Sequence, residues 1–233
     1  MPVTIIVPFR DRSVQLDMLM QRLLEPDRNV RAIIIAEQGD TEAFDRGAVK
    51  NAGFLQAVRQ LKLKDTDTVC FHDVDVMPGD RVEYPDCQPN EIRHLYGHEH
   101  CLGGVVCMTV GDFRRMNMFA HWTSWGREDT ELMEQAKRLQ VFVNHTQFVP
   151  RFTTLKHSVS SMNKNNKFYE VNEHGVRQTP DDVRAALMAK VRDLPQYNDN
   201  DNISNKLVRG DVFRSCFMHE AVRGVLHFYL LRS

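Results

Sequence analysis

The sequence lacks an excess of charge, a long apolar run and a leader of the secretory type. Its 30 Lys and Arg against 31 Asp and Glu give a net charge of −1 over 233 residues, whereas proteins that bind nucleic-acid backbones carry a clear basic excess. No apolar stretch approaches the roughly 20 residues of a membrane span, and VTIIVP begins at residue 3 with no basic region or cleavage site before it. We therefore expect a soluble, cytoplasmic protein with no nucleic-acid partner and no membrane span, or a domain cut free from an anchor.

The cysteines are few and scattered, and they form no CxxC pair. They are Cys70, Cys87, Cys101, Cys107 and Cys216. An odd set without paired spacing indicates reduced, buried thiols rather than a disulfide framework. With 42% hydrophobic and 26% charged residues, the composition is that of a soluble globule with a real core, which excludes disorder throughout.

The first 75 residues alternate apolar runs with amphipathic segments. Aliphatic runs at 3–8, 30–36 and 68–71 predict strands that are buried on both faces. Between them, one helical stripe comprises Leu16, Leu19, Met20, Leu23 and Leu24. A second helix, over 41–61, is expected to bury Phe44, Val49, Ala52, Leu55 and Val58. The order β-α-β-α-β predicts a parallel sheet whose ligands bind beyond the carboxyl ends of its strands.

The rest of the chain is more mixed. We expect a strand at 104–110, a helix at 128–139, and a mobile loop over the polar stretch 158–180. Another helix is predicted to start at 179–182, which has a cap residue, a proline and two acids. Strand-like runs at 207–217 and 222–231 predict a closing hairpin with its turn around 220–224. No linker or repeat interrupts the chain, which favours one domain over 1–233.

Charged residues gather where the predicted strands end. Asp73 and Asp75 follow the third strand, and carboxylates so placed can hold a hard divalent cation that also binds diphosphate. A bare Asp-x-Asp is also common in loops, so the position, rather than the tripeptide, favours the metal. Arg10, Arg12 and Arg46 fall at the same edge, which favours phosphate or uracil contacts over solvated arginines.

Two tryptophans, Trp122 and Trp125, precede Glu128 and Asp129 at a predicted helix start. Acids there suit the helix dipole, with the indoles in the core. The same pattern also predicts a sugar-stacking wall beside a carboxylate general base. The residues alone leave both interpretations open.

Histidines offer a weaker signal. His94, His98 and His100 lie within seven residues, but a structural zinc site usually has a second, more distant pair of ligands. Solvated loop histidines are therefore favoured over a zinc hydrolase. His157 ends a strand-like run before the polar loop, where a metal ligand could also serve as a hinge.

Six segments, in this order, resemble motifs of the β-1,4-galactosyltransferase family (glycosyltransferase family 7). VTIIVPFRDR is similar to PFR(N/D)R, EQGDTEAFDRGAVKNAGF to Q-x-G-D…F-N-R-A-x-x-x-N-x-G-F, and FHDVDVMP to F-x-D-V-D-x-x-P. LGGVVCMTVGDF resembles the family's F-G-G-V run, SWGREDTEL its W-G-W-G-x-E-D-D-[DE] signature, and TTLKH the strand that ends in a metal-binding histidine. The likeness spans residues 3 to about 170, with an echo in NISNKLVRGDVF.

The resemblance implies an α/β protein with a single GT-A-type domain. Its Rossmann-like, mostly parallel central sheet is flanked by helices and followed by the C-terminal hairpin. Residues 1–75 would form the nucleotide-binding half, and 76–233 the acceptor-binding half with the mobile loop at about 158–180, which would fold over the bound nucleotide. The implied activity is an inverting, Mn²⁺-dependent transfer of galactose from UDP-galactose to a sugar acceptor, which forms a β-1,4 linkage. A Golgi lumen location is implied only if the chain is a truncated domain.

The resemblance also assigns roles residue by residue. Asp129 would be the catalytic base, Glu128 would orient the sugars, and Asp75 and His157 would bind Mn²⁺. The donor would be held by Pro8, Phe9, Arg10, Arg12, Phe44, Arg46, Asp73, Val74, Cys101, Gly104 and Trp125, with Gly103 and Gly104 leaving room for substrate. The acceptor would meet Gly126, Arg127 and Thr130.

Several residues depart from the family pattern. Cys101 stands where galactose-using members carry Tyr, which leaves room for UDP-N-acetylgalactosamine as an alternative donor. Thr130 replaces an acceptor-binding acid, while Arg127 resembles the xylose-accepting branch. Thr154 stands where many members have a third metal ligand. Cys87 matches a half-cystine whose partner position is Thr68, with Cys70 two residues away. A relative that binds glycans or nucleotide sugars without transferring them is the other alternative.

Overall fold

A computed structural model describes most of the first 155 residues and several later strands. The described ranges are 2–25, 28–39, 44–80, 82–120, 128–148 and 151–155, with 170–171, 177–178, 196–197, 215–222 and 225–231. The first elements are β1 (Val3–Phe9), α1 (Ser13–Leu23), β2 (Val30–Gln38), α2 (Arg46–Leu61) and β3 (Thr68–His72). They are followed by β4 (Val76–Pro78), β5 (Glu91–Tyr96), β6 (Val105–Thr109), α3 (Val110–Arg115), α4 (Glu128–Arg138), β7 (Phe142–Asn144) and β8 (Phe152–Thr154). The last strands are β9 (Glu170–Val171), β10 (Arg177–Gln178), β11 (Gln196–Tyr197), β12 (Ser215–Val222) and β13 (Val225–Leu231).

Nine strands form one sheet in the order β11-β12-β13-β2-β1-β3-β6-β5-β7. Its centre is parallel, because β13 and β1 flank β2 in parallel and β3 continues in parallel beside β1. Antiparallel strands extend it on both sides, β12 next to β13 and β6 next to β3. The carboxyl ends of four parallel strands therefore meet at one edge, where doubly wound sheets bind ligands.

Apolar side chains cover both faces of this sheet. On one face, α1 buries Leu16, Leu19 and Leu23 against the sheet. On the other face, α2, α3 and α4 pack on a cluster that includes Phe54, Phe71 and Phe113. Because both faces are covered, β1 is buried along its whole length, as its continuous aliphatic run predicts.

The predicted β-α-β-α-β order and the closing hairpin are confirmed, with three corrections. Leu24 lies outside the buried stripe and is 50% exposed, because α1 ends at Leu23 and Leu24 is its C-cap. The described part of α2 starts at Arg46, since the Asp45 side chain caps it by accepting from the Ala48 amide. The hairpin turn is narrower than expected, with its strands ending at Val222 and starting again at Val225.

Other elements were not predicted. Helix α3 follows β6 directly, because the Thr109 hydroxyl caps it by accepting from the Asp112 amide. Strands β4 and β7 have only three residues each, and polar residues interrupt β5, so none of them stands out in the sequence. Within the predicted loop 158–180, β9 and β10 form a small antiparallel pair, and the helix predicted from residue 179 lies outside the described residues.

The side chains of four of the five cysteines are described, and all four are free thiols. Cys70, Cys87 and Cys107 are buried, and Cys101 is half-buried. The prediction of reduced, mostly buried thiols is confirmed for these residues. Among the described helices, none combines the length and apolar character needed to cross a bilayer.

Candidate active site

The site lies at the edge of the sheet where β1 and β3 end. Arg10 and Arg12 leave the end of β1, and Asp73 and Asp75 leave the end of β3. Asp73 is fixed by its amide, which donates to the Gly104 carbonyl at 2.9 Å. The first turn of α2 brings Arg46 to the same place, so segments far apart in sequence meet at one edge.

Arg46 is the centre of a carboxylate network. Its Nη1 donates to Asp73 Oδ2 at 2.8 Å, and its Nε donates to Glu128 Oε1 at 2.5 Å. Its Nη2 donates to Asp129 Oδ2. Glu128 and Asp129 are buried in the first turn of α4, where the helix dipole also favours negative charge. One guanidinium thus ties the end of β3 to the start of α4.

Lys50 adds a second cation to this network. It lies one helical turn after Arg46 on α2, hence on the same helix face. Its Nζ is 3.3 Å from Asp129 Oδ1 and 3.3 Å from Asp73 Oδ1, and the side chain is only 1% exposed. The Nζ also lies 4.7 Å from the centre of the Phe119 ring. Three carboxylates therefore share two cations, of which Lys50 is fully buried and Arg46 is partly exposed.

These contacts set the ionisation of the site. Burial raises the pKa of Asp129, while Lys50 and Arg46 lower it and Glu128 and Asp73 raise it, and the pKa ends above the usual aspartate value. Burial also raises the pKa of Asp73, but Arg46 and Lys50 oppose this and hold it below the usual value. Two neighbouring carboxylates thus differ in proton affinity, as in many acid-base sites.

The loop 101–104 packs between the two aspartates. A Cβ at Gly103 would lie 2.5 Å from Asp129 Oδ2, and a Cβ at Gly104, which has a φ of +75°, would collide with the Tyr96 carbonyl. Both glycines thus leave room for the protein's own atoms, and their contact with substrate remains a prediction. Leu102 donates its amide to the Asp129 carbonyl at 3.0 Å.

His94, on β5, contacts this loop through the Gly103 carbonyl. Its Nε2 lies 2.9 Å from the Gly103 carbonyl oxygen, and its Nδ1 lies 3.2 Å from Nε2 of His145. Burial lowers the pKa of His94 to about 4, so the ring is neutral near pH 7. The expectation of a solvated loop histidine is wrong here, because His94 belongs to β5 and is fully buried.

The other two histidines of the group match that expectation. His98 and His100 are exposed and stack on each other with ring centres 5.6 Å apart. Within the described ranges, no three His, Cys, Asp or Glu side chains come close enough together to hold a metal ion. Geometry therefore gives no support to a zinc site built on this group.

Asp75 is the described residue that the sequence predicts to bind a divalent cation, and it lies just after the end of β3. Its carboxylate, a hard donor of the type that Mn²⁺ prefers, is 20% exposed and 3.8 Å from Arg12 Nη1. Its backbone carbonyl accepts from the Leu155 amide at 2.7 Å. Strand β8 pairs with β4 through Thr154 and Val76. Leu155, the residue after β8, therefore lies beside Asp75, and His157 follows it by two positions in the sequence.

The remaining predicted residues fall into three groups. Pro8, Phe9 and Val74 are buried, and Phe44 is half-buried against the core. Cys101 is half-buried beside Asp129, and Thr130 is exposed on α4. Trp125, Gly126, Arg127 and His157 lie outside the described residues. The roles assigned to all these residues remain predictions.

Sequence reasoning missed Lys50 and misjudged His94. The signal for Lys50 was its position four residues after Arg46, in a helical stretch, 47–54, whose other residues are apolar or glycine except Asn51. The signal for His94 was the alternation in EIRHLY, which places Ile92 and His94 on one face of a strand.

The fold is that of a GT-A glycosyltransferase domain. The catalytic domain of Drosophila β1,4-galactosyltransferase 7, solved in complex with xylobiose, superposes with a TM-score of 0.59 at 18% identity over 99% of this chain and 92% of that chain. A mutant of that enzyme, solved in complex with manganese, UDP-Gal and xylobiose, superposes equally well.

Family models carry the identification further. The model for the N-terminal region of glycosyl transferase group 7 matches residues 1–88, and the model for the N-terminal domain of galactosyltransferase matches residues 85–158. The chain belongs to the β-1,4-galactosyltransferase family, glycosyltransferase family 7.

Named relatives agree with this assignment. β-1,4-galactosyltransferase 5 of Sus scrofa is 33% identical over 149 residues, 58% of this chain and 37% of that protein. Human β-1,4-galactosyltransferase 7 is 30% identical over 154 residues, 60% of this chain and 46% of that protein. The chain thus matches less than half the length of these two relatives.

Proposed function

We propose that the protein is an inverting β-1,4-galactosyltransferase that moves galactose from UDP-galactose to a hydroxyl of a carbohydrate acceptor. The observation that carries this proposal is the buried Asp129 carboxylate, held by Arg46 and Lys50 beside the strand ends that bind ligands in such sheets. Family membership and the solved neighbour, which is in complex with manganese, UDP-Gal and xylobiose, support it.

The chemistry requires one base. Asp129 takes the proton of the acceptor hydroxyl as its oxygen forms a bond to the anomeric carbon, and the bond from that carbon to the phosphate oxygen breaks. The electron pair of this bond leaves with UDP. Each carboxylate oxygen has two acceptor sites, so the contacts with Arg46 and Lys50 leave capacity for the incoming proton. Attack opposite the leaving group inverts the anomeric centre.

Arginines and a metal would hold the leaving group. Arg10 and Arg12 follow β1 at the ligand edge, where guanidinium groups can bind diphosphate in a bidentate manner. Asp75 and His157 would hold Mn²⁺, and the course of β8 past Asp75 supports that pairing. A bound divalent cation neutralises charge on the departing diphosphate. The Thr154 hydroxyl is 2.8 Å from the Tyr96 hydroxyl, which favours water over Thr154 as a further ligand.

UDP-N-acetylgalactosamine is the second candidate donor, and Cys101 is the observation that favours it. Its small side chain borders the Asp129 site and is only half-buried, which leaves more space than a tyrosine would. Thr130 is exposed in the first turn of α4. Because it stands where the family has an acceptor-binding acid, it favours an acceptor other than N-acetylglucosamine. Xylosides are the first acceptors to test, because the solved neighbour holds xylobiose.

The test is transfer itself. Purified protein with Mn²⁺ is given UDP-galactose or UDP-N-acetylgalactosamine and a panel of β-xylosides, β-glucosides and N-acetylglucosaminides, and products are analysed by NMR. The proposal predicts a β-1,4-linked galactoside from at least one acceptor. UDP binding without transfer to any acceptor would contradict it and favour the non-catalytic alternative. Products from UDP-N-acetylgalactosamine alone would overturn the choice of donor.

A further inference from the structure

Lys50 lies beside the candidate base Asp129, but the proposed reaction assigns it no role. We propose that Lys50 is a positioning residue that holds one oxygen of the Asp129 carboxylate and supplies the positive charge that this buried base needs. This inference rests on the proposed function, because it takes Asp129 to be the base.

Lys50 lies between the carboxylates of Asp73 and Asp129. Its Nζ is 3.3 Å from Asp129 Oδ1 and 3.3 Å from Asp73 Oδ1, whereas Arg46 holds the other oxygen of each aspartate. The base is thereby gripped at both oxygens. Without Lys50, Asp129 could rotate about its Cβ–Cγ bond and lose its alignment with the acceptor hydroxyl, and small misplacements are costly in catalysis.

Burial argues that the charge of Lys50 is functional. The side chain is 1% exposed, and an ammonium group in the interior carries a large desolvation cost that an apolar residue would avoid. The centre of the Phe119 ring lies 4.7 Å from the ammonium nitrogen. The backbone of Phe119 is held by the Asn51 side chain, which accepts from the Phe119 amide and donates to the Phe119 carbonyl. Because Lys50 is almost closed off from solvent and its ammonium contacts the carboxylates of Asp129 and Asp73, it acts through these carboxylates.

Charge balance points the same way. The charged and titratable groups around Asp129 are Lys50 and Arg46 from α2, Asp73 after β3, Glu128 from α4 and Cys101 from the adjoining loop. Two cations face three carboxylates, and removing Lys50 leaves one cation for three. Burial then raises the pKa of Asp129 with only Arg46 opposing it.

The motif leaves this position open. In F-N-R-A-x-x-x-N-x-G-F, Lys50 falls on the last x before the asparagine, and FDRGAVKNAGF supplies the lysine. Other residues of the segment, such as Arg46 and Asn51, coincide with positions that the motif specifies. The pattern as written therefore does not require the charge of Lys50.

The experiment compares wild type with Lys50→Met, which keeps much of the length, Lys50→Gln, which keeps a donor without charge, and Lys50→Arg, which keeps the charge. Lys64→Met, at an exposed lysine, is the matched control.

The pH profile of kcat/KM is measured for wild type and for each variant. The two uncharged variants should move the acidic limb upward by about one pH unit or more, which lowers kcat/KM about tenfold below the limb. Lys50→Arg should restore most of the loss. A limb at the wild-type pH in both folded uncharged variants would overturn the inference.

A second measurement separates this inference from the proposed function. In protein labelled with ¹³C at aspartate carboxyls, the Asp129 signal is assigned by its loss in Asp129→Asn and titrated without substrate. It should titrate at higher pH in Lys50→Met and Lys50→Gln than in wild type. Absence of transfer by the wild type, with the expected shift of the Asp129 titration in the variants, would refute the proposed function. An unchanged Asp129 titration in variants of a protein that does transfer galactose would refute the role of Lys50.

Discussion

Gly103 leaves the space that the carboxylate of Asp129 fills, since a Cβ at residue 103 would lie 2.5 Å from Asp129 Oδ2. The same loop donates the Leu102 amide to the Asp129 carbonyl at 3.0 Å. The candidate base is therefore held from one side by backbone and from the other by Arg46 and Lys50. This close fit suits a preorganised site, in which reacting groups do not need to be ordered during the reaction.

Gly103→Ala should displace the Asp129 carboxylate. A methyl group cannot fit beside Oδ2, so α4 or the loop must shift, and a displacement near 1 Å can cost about 100-fold in rate. We expect kcat to fall by about that factor with little change in UDP affinity, as measured by steady-state kinetics and calorimetry. Gly111→Ala in α3, where a Cβ would lie 3.1 Å from the Cβ of Asp65, is a less crowded control away from the site. Equal losses in the two variants would contradict a specific effect on the base.

Asp129→Asn should abolish proton abstraction while keeping the shape of the site. Loss of a general base costs about 10²–10⁴-fold, and we expect kcat to fall within that range while UDP-sugar binding persists. The matched control is Glu131→Gln, which removes an exposed acid from the same helical turn. Near-normal turnover by Asp129→Asn would exclude it as the base.

Asp75→Ala should remove the dependence of UDP binding on Mn²⁺. The Asp75 carboxylate is a hard oxygen donor close to the end of β8. Loss of one of the two proposed protein ligands weakens the binding of a divalent cation severely. Titration of UDP with and without Mn²⁺ should then give the same weak affinity. Asp80→Ala, at an 87% exposed carboxylate, should keep the wild-type response. Unchanged Mn²⁺ dependence in Asp75→Ala would remove this residue from the metal site.

His94 should make the fold sensitive to acid. Burial lowers its pKa from 6.5 to about 4, so the unfolded chain takes up the proton first as the pH falls. The contribution of His94 is therefore complete above about pH 6.5 and is lost between that pH and about 4, at up to about 1.4 kcal/mol per pH unit. His72, whose pKa burial also lowers to about 4, adds a slope of the same sign.

The check is chemical unfolding at pH values from about 7 to 4.5. His94→Gln, which can still donate to the Gly103 carbonyl but cannot take up a proton, should show a shallower loss of stability than wild type. His98→Gln replaces an exposed histidine and should keep the wild-type slope. Parallel curves for wild type and His94→Gln would contradict a neutral, buried His94.

Local patterns predicted the part of the fold that builds the ligand edge. The aliphatic runs of β1, β2 and β3 and the helical spacing of α1 and α2 are strong signals, because strands covered on both faces have few polar residues. The pairing of β13 beside β2 joins His227 to Glu37 across 190 positions, at 2.8 Å. No local pattern contains that partner, so the position of the hairpin in the sheet could not be predicted.

The site was predicted in the same uneven way. Asp73, Arg46, Glu128 and Asp129 stood out because they fall at element ends within motifs, and the structure brings these four together. Lys50 did not stand out because a lysine on a helix is ordinarily solvated, and only tertiary packing shows that this one is enclosed. His94 was misjudged for the converse reason, since its neighbours His98 and His100 are exposed.

The most direct test of the account is release of UDP from UDP-galactose without an acceptor, with Mn²⁺ or with EDTA. An enzyme with this site should hydrolyse its donor slowly when water takes the place of the acceptor hydroxyl. The account predicts slow release of UDP with Mn²⁺, none with EDTA, and a strongly reduced rate for Asp129→Asn. No release from any UDP-sugar, together with no Mn²⁺-dependent binding of UDP, would contradict the account at its centre.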